Sequence, residues 1–420
     1  MKRKVRPSEE KNKAITEILY GNSKEMLRDL IIKSTEKILQ EALESEVGEY
    51  LGRDWYSHQS AENTIKDYRN GYQDKHYKTA EGVLEIRKPR VRTGKFKSRI
   101  LDKLEIIENK LNKIALESYV RGLSTRDIES TFTDDKGAPM LSRSSVSNLA
   151  RDLYREYEEF SQRDLTKIDA VYLFVDGVYE AVRKYTRNQA ILCAWAITSD
   201  GRKELLSLMA VSSESTDSYS VFFEDMLKRG LRQPLLVVSD GSTALISAIT
   251  RSFPKADRQR CVAHKLRNLS VKVPKSEQKQ INRRAREVYF ATDKDTADVI
   301  ASKFIEDYAQ KYPSMVKCFT DDLQSCLTQM KYPEGHRIHI RTTNLIERAF
   351  VEEKRRTKII PQHQNEKGAL GLVFSVLIRA SYSWRNIKMT DLELTELKHI
   401  RAIICPEQKE TGFISYQLVA

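Results

Sequence analysis

Val171-Tyr172-Leu173-Phe174-Val175-Asp176-Gly177 is an apolar, β-branched run that stops on an acid and a glycine. It reads as a strand with Asp176 at its end. The pattern returns at Leu235-Leu236-Val237-Val238-Ser239-Asp240-Gly241, where the unbroken apolar run marks a strand buried on both faces. Between them Tyr179 to Arg183, Ile191 to Thr198 and Leu205 to Val211 read as further strands, with turn residues such as Asp200-Gly201 between. Helical periodicity follows over 217–230, where Tyr219, Phe222, Phe223, Met226 and Leu227 share a side, and again from Ala244 to Phe253. Strands first, then strands alternating with helices, predict an α/β sheet of mixed direction. If the runs before Asp176 and Asp240 are neighbours, both carboxylates leave the carboxyl edge of the sheet, where open α/β sheets hold ligands.

A third acid stands in a different setting. Thr342-Thr343-Asn344-Leu345-Ile346-Glu347-Arg348 opens a helical pattern over 343–358, and Lys354, Arg355, Arg356 and Lys358 follow on the same segment, where with Arg348 they are candidate contacts for a DNA backbone. Asn344 lies about one turn before Glu347 on the same face and can bond either that acid or a substrate. Two strand-end aspartates and a helical glutamate supply the oxygen ligands that hard cations such as Mg²⁺ require, and two such ions can drive phosphodiester chemistry without a protein nucleophile. Taken singly, each acid has an ordinary reading: Asp-Gly is common in turns, and a Glu on a basic helix is commonly a surface ion-pair partner.

The totals point to the same partner. The chain has 420 residues, enough for two or three domains, and a net charge of +13, which suits an extended polyanion, most simply nucleic acid. The scattered cysteines Cys193, Cys261, Cys318, Cys326 and Cys405 fit a reducing compartment better than a disulfide framework. Met1 to Pro7 is basic but leads into Ser8-Glu9-Glu10-Lys11 rather than an apolar stretch, so no signal peptide is expected. No apolar run approaches the ~18 residues of a membrane span. The expectation is a soluble, cytoplasmic protein at the nucleoid.

The flanks divide as follows. Residues 1–104 read as a basic helical and strand region in contact with DNA: an amphipathic helix over 23–52 with Leu27, Ile31, Ile38 and Ala42 on one face, a turn at Arg69-Asn70-Gly71-Tyr72, a strand at Val83–Arg87, and a run of Lys and Arg from Lys88 to Arg99 that is either a solvated face or a phosphate contact. Residues 105–165 read as a helix-turn-helix-like DNA reader. Gly122 makes the turn, Ser124 and Asp127 form a capping box, and Val146, Leu149, Ala150 and Leu153 stripe a further helix. Arg126 and Arg143 are its candidate DNA contacts. Residues 274–335 are polar and helical, with Ala297, Ile300, Ala301, Phe304 and Tyr308 on one stripe. They interrupt a catalytic domain at 166–273 and 336–400, and a tail follows at 401–420. Trp55, Trp195 and Trp384 read as core residues rather than base-stacking platforms.

Asp176-Gly177-Val178-Tyr179, Asp240-Gly241, Cys261-Val262-Ala263-His264 and the Thr342 to Arg348 block closely resemble the mutator family of bacterial insertion-sequence transposases. The resemblance covers most of the chain and includes Tyr119 to Arg126 and, more diffusely, Arg69 to Tyr72. It implies an RNase H-like catalytic domain split by an all-helical insertion, with Asp176, Asp240 and Glu347 as a metal-binding DDE triad using Mg²⁺ or Mn²⁺. It also implies double-stranded DNA as partner, binding of terminal inverted repeats, strand transfer by 3′-hydroxyls, and a homodimer or higher oligomer at synapsis. Glu180 departs from the pattern, which leads one to expect an apolar or basic residue there. Three alternatives stay open: a transposase-derived DNA-binding regulator, a nuclease that cuts without joining, and a zinc site made by Cys261 and His264 with His336 and His339. Without zinc, Cys261 and His264 would steady the turn after the second acidic strand or place His264 near DNA.

Overall fold

The computed structural model describes residues 6–20, 26–53, 67–79, 82–93, 95–133, 139–180, 189–358 and 365–404. They fall into two compact units, 1–149 and 150–420.

In the first unit, helices α1 (Pro7–Tyr20) and α2 (Met26–Leu51) accompany an antiparallel hairpin of β1 (Arg69–Thr79) and β2 (Gly82–Val91). The expected turn at Arg69 to Tyr72 is a register irregularity inside β1. The helix expected over 23–52 forms, with a different buried face. Leu27, Ile31 and Ile38 are 71%, 48% and 64% exposed, whereas Glu36, Gln40, Leu43, Val47 and Leu51 are buried. The polar pair is inside because it completes the backbone of β2. The Gln40 amide donates to Arg87 O and accepts from Arg87 N–H, both at 3.0 Å, and Glu36 accepts from Glu85 N–H at 2.9 Å. Buried polar groups are tolerated where their hydrogen bonds are made.

Helix α3 (Arg99–Val120) turns through Gly122, at φ +100°, into α4 (Thr125–Thr131). Both halves of the expected capping box are present: Asp127 N–H bonds Ser124 Oγ at 3.1 Å, and Ser124 N–H bonds Asp127 Oδ2 at 2.9 Å. Ala115, Ile128, Leu141 and Val146 form the small core of this segment. Helix α5 spans Arg143–Ser161.

The second unit is built on strands β3 (Ala170–Glu180), β4 (Gln189–Thr198) and β5 (Lys203–Val211), then helix α6 (Thr216–Lys228), strand β6 (Leu236–Ser239), helix α7 (Thr243–Ser252) and strand β7 (Asp257–Arg260). Their order in the sheet is β5-β4-β3-β6-β7. The first three pair antiparallel and the last three parallel, the mixed α/β sheet expected from the sequence. Successive side chains of a strand point to opposite faces. Leu173 and Val175 accordingly pack with Phe222, Phe223 and Ile249 of α6 and α7. Tyr172 and Phe174 pack on the other face with α5, α14 (Asn344–Thr357), α15 (Glu366–Ser381) and α16 (Asp391–Ile404). Trp195 and Trp384 meet there at 4.4 Å between ring centroids, as core residues; Trp55 lies outside the described residues.

One correction concerns β3. The sequence reading ends the strand at Asp176 and starts another at Tyr179, whereas β3 continues unbroken to Glu180 because β4 pairs along its whole length, Asp176 opposite Cys193 and Glu180 opposite Gln189. Between β7 and α14 the described chain is wholly helical: α8 (Val262–Ser270), α9 (Lys275–Tyr289), α10 (Lys294–Tyr308), α11 (Pro313–Asp321), α12 (Leu323–Leu327), a short 3₁₀ turn and α13 (Glu334–Ile340). Residues 262–330 enclose a hydrophobic cluster of their own, with Ala297, Ala301, Phe304 and Tyr308 buried in it.

Candidate active site

The parallel pairing of β3 with β6 sets Val175 beside Ser239. Asp176 and Asp240 are the next residues on these two neighbouring chains, so they stand side by side at the carboxyl end of β6. Asp240 Oδ1 accepts from Ser242 N–H at 3.0 Å, which turns the chain into α7. Asp176 Oδ1 accepts from Gly177 N–H at 2.9 Å. Burial pushes the Asp176 carboxyl up to about 7; the charges of Asp240 and Glu347 add to this, while His264 and the Gly177 N–H oppose it. Desolvation and like charge both disfavour the ionised form. Asp176 thus responds to both other acids, although Glu347 lies 107 positions beyond Asp240.

Glu347 sits in the first turn of α14. Its Oε2 takes a 2.6 Å hydrogen bond from Arg267 of α8, and its Oε1 lies 3.7 Å from His264 Nδ1. Oε1 is buried and makes no hydrogen bond among the described residues. The start of α8 is tied to the start of α14. Val262 N–H bonds Arg341 O at 3.0 Å, and the Cys261 sulfur accepts from Thr343 N–H at 3.3 Å and Thr343 Oγ1 at 3.2 Å. Burial raises the Cys261 thiol, but its hydrogen bonds to His264 and Thr343 outweigh burial and hold it below its usual value. His264 is raised, first by that thiol, against burial, with Asp176 and Glu347 assisting. Ligand-capable atoms of Cys261, His264 and Glu347 all lie within 4.8 Å of one another.

The four-residue zinc arrangement does not form. His336 is fully buried with its Nδ1 at 2.7 Å from the Tyr172 hydroxyl and its Nε2 at 3.8 Å from Glu393. Among the described residues, neither it nor His339 joins Cys261 and His264 in a ligand cluster.

Several cations singled out for DNA already have partners. Lys354 donates to Tyr179 O at 2.7 Å and Glu180 Oε1 at 3.3 Å; Arg355 and Arg356 both pair with Glu352, at 2.7 and 3.2 Å. Arg143 is bonded to Glu129. Arg126, Asn344, Arg348 and Lys358 are exposed. Sequence reasoning missed Arg267 and Thr343, and also Glu214. A Cβ on Gly177 would come within 2.5 Å of Glu214 Oε1, so a further carboxylate lies against the strand residue that follows Asp176. Contacts across 80 positions leave no local pattern that could have revealed Arg267.

Known proteins resemble this chain over most of its length. The family model described as "Transposase, Mutator family" matches residues 8–387. The transposase for insertion sequence element ISRM5 of Rhizobium meliloti (strain 1021) is 31% identical over 389 residues, covering 90% of this chain and 94% of that protein. The transposase for IS256 in transposon Tn4001 of Staphylococcus aureus is 32% identical, covering 83% and 89%. The transposase for IS6120 of Mycolicibacterium smegmatis is 33% identical, covering 65% and 85%. Among the described residues no helix is long and apolar enough to cross a membrane. With a matched region that takes in all three acids of the site, the chain belongs to the mutator family of transposases.

Proposed function

We propose that this protein binds the terminal inverted repeats of an insertion sequence, cleaves a phosphodiester at the element ends with Mg²⁺ or Mn²⁺, and joins the 3′-hydroxyls to target DNA. The observation that carries the reading is the placement of Asp176 and Asp240 at neighbouring strand positions, with Glu347 close enough to act on Asp176. Asp176 and Asp240 follow adjacent parallel strands, and Asp176 also feels the charge of Glu347, which arrives on a helix. In this reading the mixed sheet with its flanking helices is an RNase H-like domain and residues 274–335 are its helical insertion. Residues 105–165 read the element ends, and two ends brought together imply at least a dimer.

The residues fit a hard divalent cation. All three donors are carboxylate oxygens, burial and the neighbouring acids keep the Asp176 carboxyl raised to about 7, and Glu347 Oε1 accepts no hydrogen bond among the described residues. When bound, the ions supply activation of the attacking oxygen and stabilisation of the leaving one. Asp176 and Asp240 present their carboxylates from rigid strands, which favours precise placement. Arg267 and His264 steady Glu347 and keep positive charge beside the scissile phosphate. Cys261 holds the helix that carries Glu347.

The test uses DNA bearing the sequences that flank the gene, in Mg²⁺ or Mn²⁺, with wild type beside Asp176→Ala and Glu347→Gln. The expected result is metal-dependent nicking and joining by wild type, lost in both variants with DNA binding retained. Joining by either variant at the wild-type rate would remove that acid from the triad. Binding without metal-dependent cleavage by the wild type would favour the regulator reading, and cleavage without joining the nuclease reading.

A further inference from the structure

Helix α9 carries a one-sided row of positive charge that the site described above does not use. Lys275, Lys279, Arg283 and Arg286 are spaced four, four and three residues apart, so they fall within an arc of roughly 80° on the helix and span about 16 Å along it. All four are exposed. Nearby acids do not neutralise the row. Glu277 is taken by Lys311 at 3.0 Å, and Glu287 by Arg284 at 2.8 Å. Among the described residues none of the four cations has a carboxylate within ion-pair distance, unlike Arg143, Lys354, Arg355 and Arg356, which all do.

The opposite side of α9 is anchored. Ile281, Ala285, Val288 and Tyr289 are fully buried in the helical cluster. Gln278 bonds Ser270 O at 2.8 Å and Asn282 bonds Ser270 Oγ at 2.8 Å, which sets α9 against α8, the helix carrying His264 and Arg267. Just past the end of α9, the ring of Phe290 lies under the Arg341 guanidinium at 4.1 Å, and Arg341 O bonds Val262 N–H at the start of α8. The charged row is therefore held rigidly to the element that grips Glu347.

A linear array of unpaired cations on a fixed helix matches the regular negative charge of a nucleic-acid backbone. We propose that the exposed face of α9 is a sequence-independent track for the sugar–phosphate backbone of the DNA that enters the active site. Phosphate contacts of this kind fix register and orientation without reading sequence. Four contacts on one rigid helix would hold the duplex against the helical segment while Asp176, Asp240 and Glu347 meet the scissile phosphate. The inference rests on DNA being the substrate.

The experiment measures equilibrium binding of the full-length protein to a 40-base-pair duplex of arbitrary sequence as salt is varied. Wild type is compared with Lys279→Gln/Arg283→Gln/Arg286→Gln and with a charge-matched control, Lys294→Gln/Lys303→Gln/Lys317→Gln, in exposed positions on α10 and α11. Each phosphate contact adds about 0.9 to the slope of log K against log salt, so the α9 variant should lose about 2.7 in slope while the control loses less than ~1. Melting temperatures of all three proteins verify that the substitutions leave the fold intact. A wild-type slope in the α9 variant would overturn the track, and so would an equal loss in the control, which would assign the effect to net charge. A wild type that binds no duplex of arbitrary sequence would overturn the track, whereas the proposed function fails only if the flanking sequences are neither bound nor joined. Strand joining by the α9 variant at saturating DNA tells the two apart, because loss of the track leaves the three acids in place.

Discussion

The sulfur of Cys261 accepts two hydrogen bonds from Thr343, one from its backbone N–H at 3.3 Å and one from its hydroxyl at 3.2 Å. Both residues are buried, and Thr343 is the residue from which α14 starts, four positions before Glu347. A thiol after β7 thus sets the origin of the helix that delivers the third acid.

Cys261→Ala should therefore act on Glu347 at a distance. Removing the acceptor strands a buried N–H and a buried hydroxyl, at a cost of about 1–3 kcal/mol, readable by urea denaturation. Cys261→Ser keeps an acceptor and should lose less than half as much. Joining activity should fall in the order wild type, Ser, Ala, with duplex binding unchanged. Equal stability of the Ala and Ser variants would show that the sulfur is filling space only.

The protonation of Asp176 has a signature in stability. Its folded carboxyl titrates near 7 against an ordinary 3.8, so between about pH 4 and pH 7 the folded protein holds more protons than the unfolded one. Stability of the metal-free protein should fall as pH rises through that window, by up to ~1.4 kcal/mol per pH unit from this group. Asp176→Asn should lose that contribution, and Mn²⁺ at pH 7.5 should stabilise wild type but not the variant. Urea titrations in EDTA from pH 5 to 8 check this; parallel wild-type and Asn curves would refute it.

Local patterns proved legible and remote partners did not. The capping box of Ser124 and Asp127 needs only three residues of sequence, and it forms. The alternation of Tyr172 and Phe174 with Leu173 and Val175 separates the two faces of the sheet as the pleat demands. On α2 the reading failed because Glu36 and Gln40 look like surface residues until their bonds to β2 are seen. The strand end at Asp176 failed similarly: Asp-Gly is a turn signal, but continuous pairing with β4 overrides it. The acids themselves were visible because they end apolar runs or sit among cations. The salt link of Arg267 to Glu347 was hidden, since nothing near either residue names the other.

Gly371 marks where α15 crosses α5. A Cβ there would lie 2.8 Å from Tyr154 N and 3.0 Å from Tyr154 Cα, backbone atoms that cannot swing aside. Gly371→Ala should force the helices apart and cost about 1–3 kcal/mol as an overpacked contact, despite the better helix propensity of Ala. Thermal unfolding checks this. An unchanged or raised melting temperature would mean that α5 can shift freely over α15.

Glu353 lies on α14 between Glu347 and the helix end, with no exposed surface. Burial raises its carboxyl to about 8, and the Glu180 carboxylate adds to this; Thr357 and Lys354 oppose it. Lys354 instead serves Glu180, at 3.3 Å. The unusual acid at position 180 thus acts on a buried acid of α14 and helps to keep that carboxyl raised. The folded value exceeds the ordinary 4.5, so Glu353 also drains stability as pH rises, by up to about 1.4 kcal/mol per pH unit. Glutamine mimics the protonated form at every pH. Glu353→Gln should match wild type near pH 4, below the ordinary value of 4.5, and exceed it at pH 8, in EDTA and in Mn²⁺ alike, which distinguishes this group from Asp176. A variant less stable than wild type at pH 8 would mean that Glu353 is ionised in the folded protein and that its negative charge is balanced.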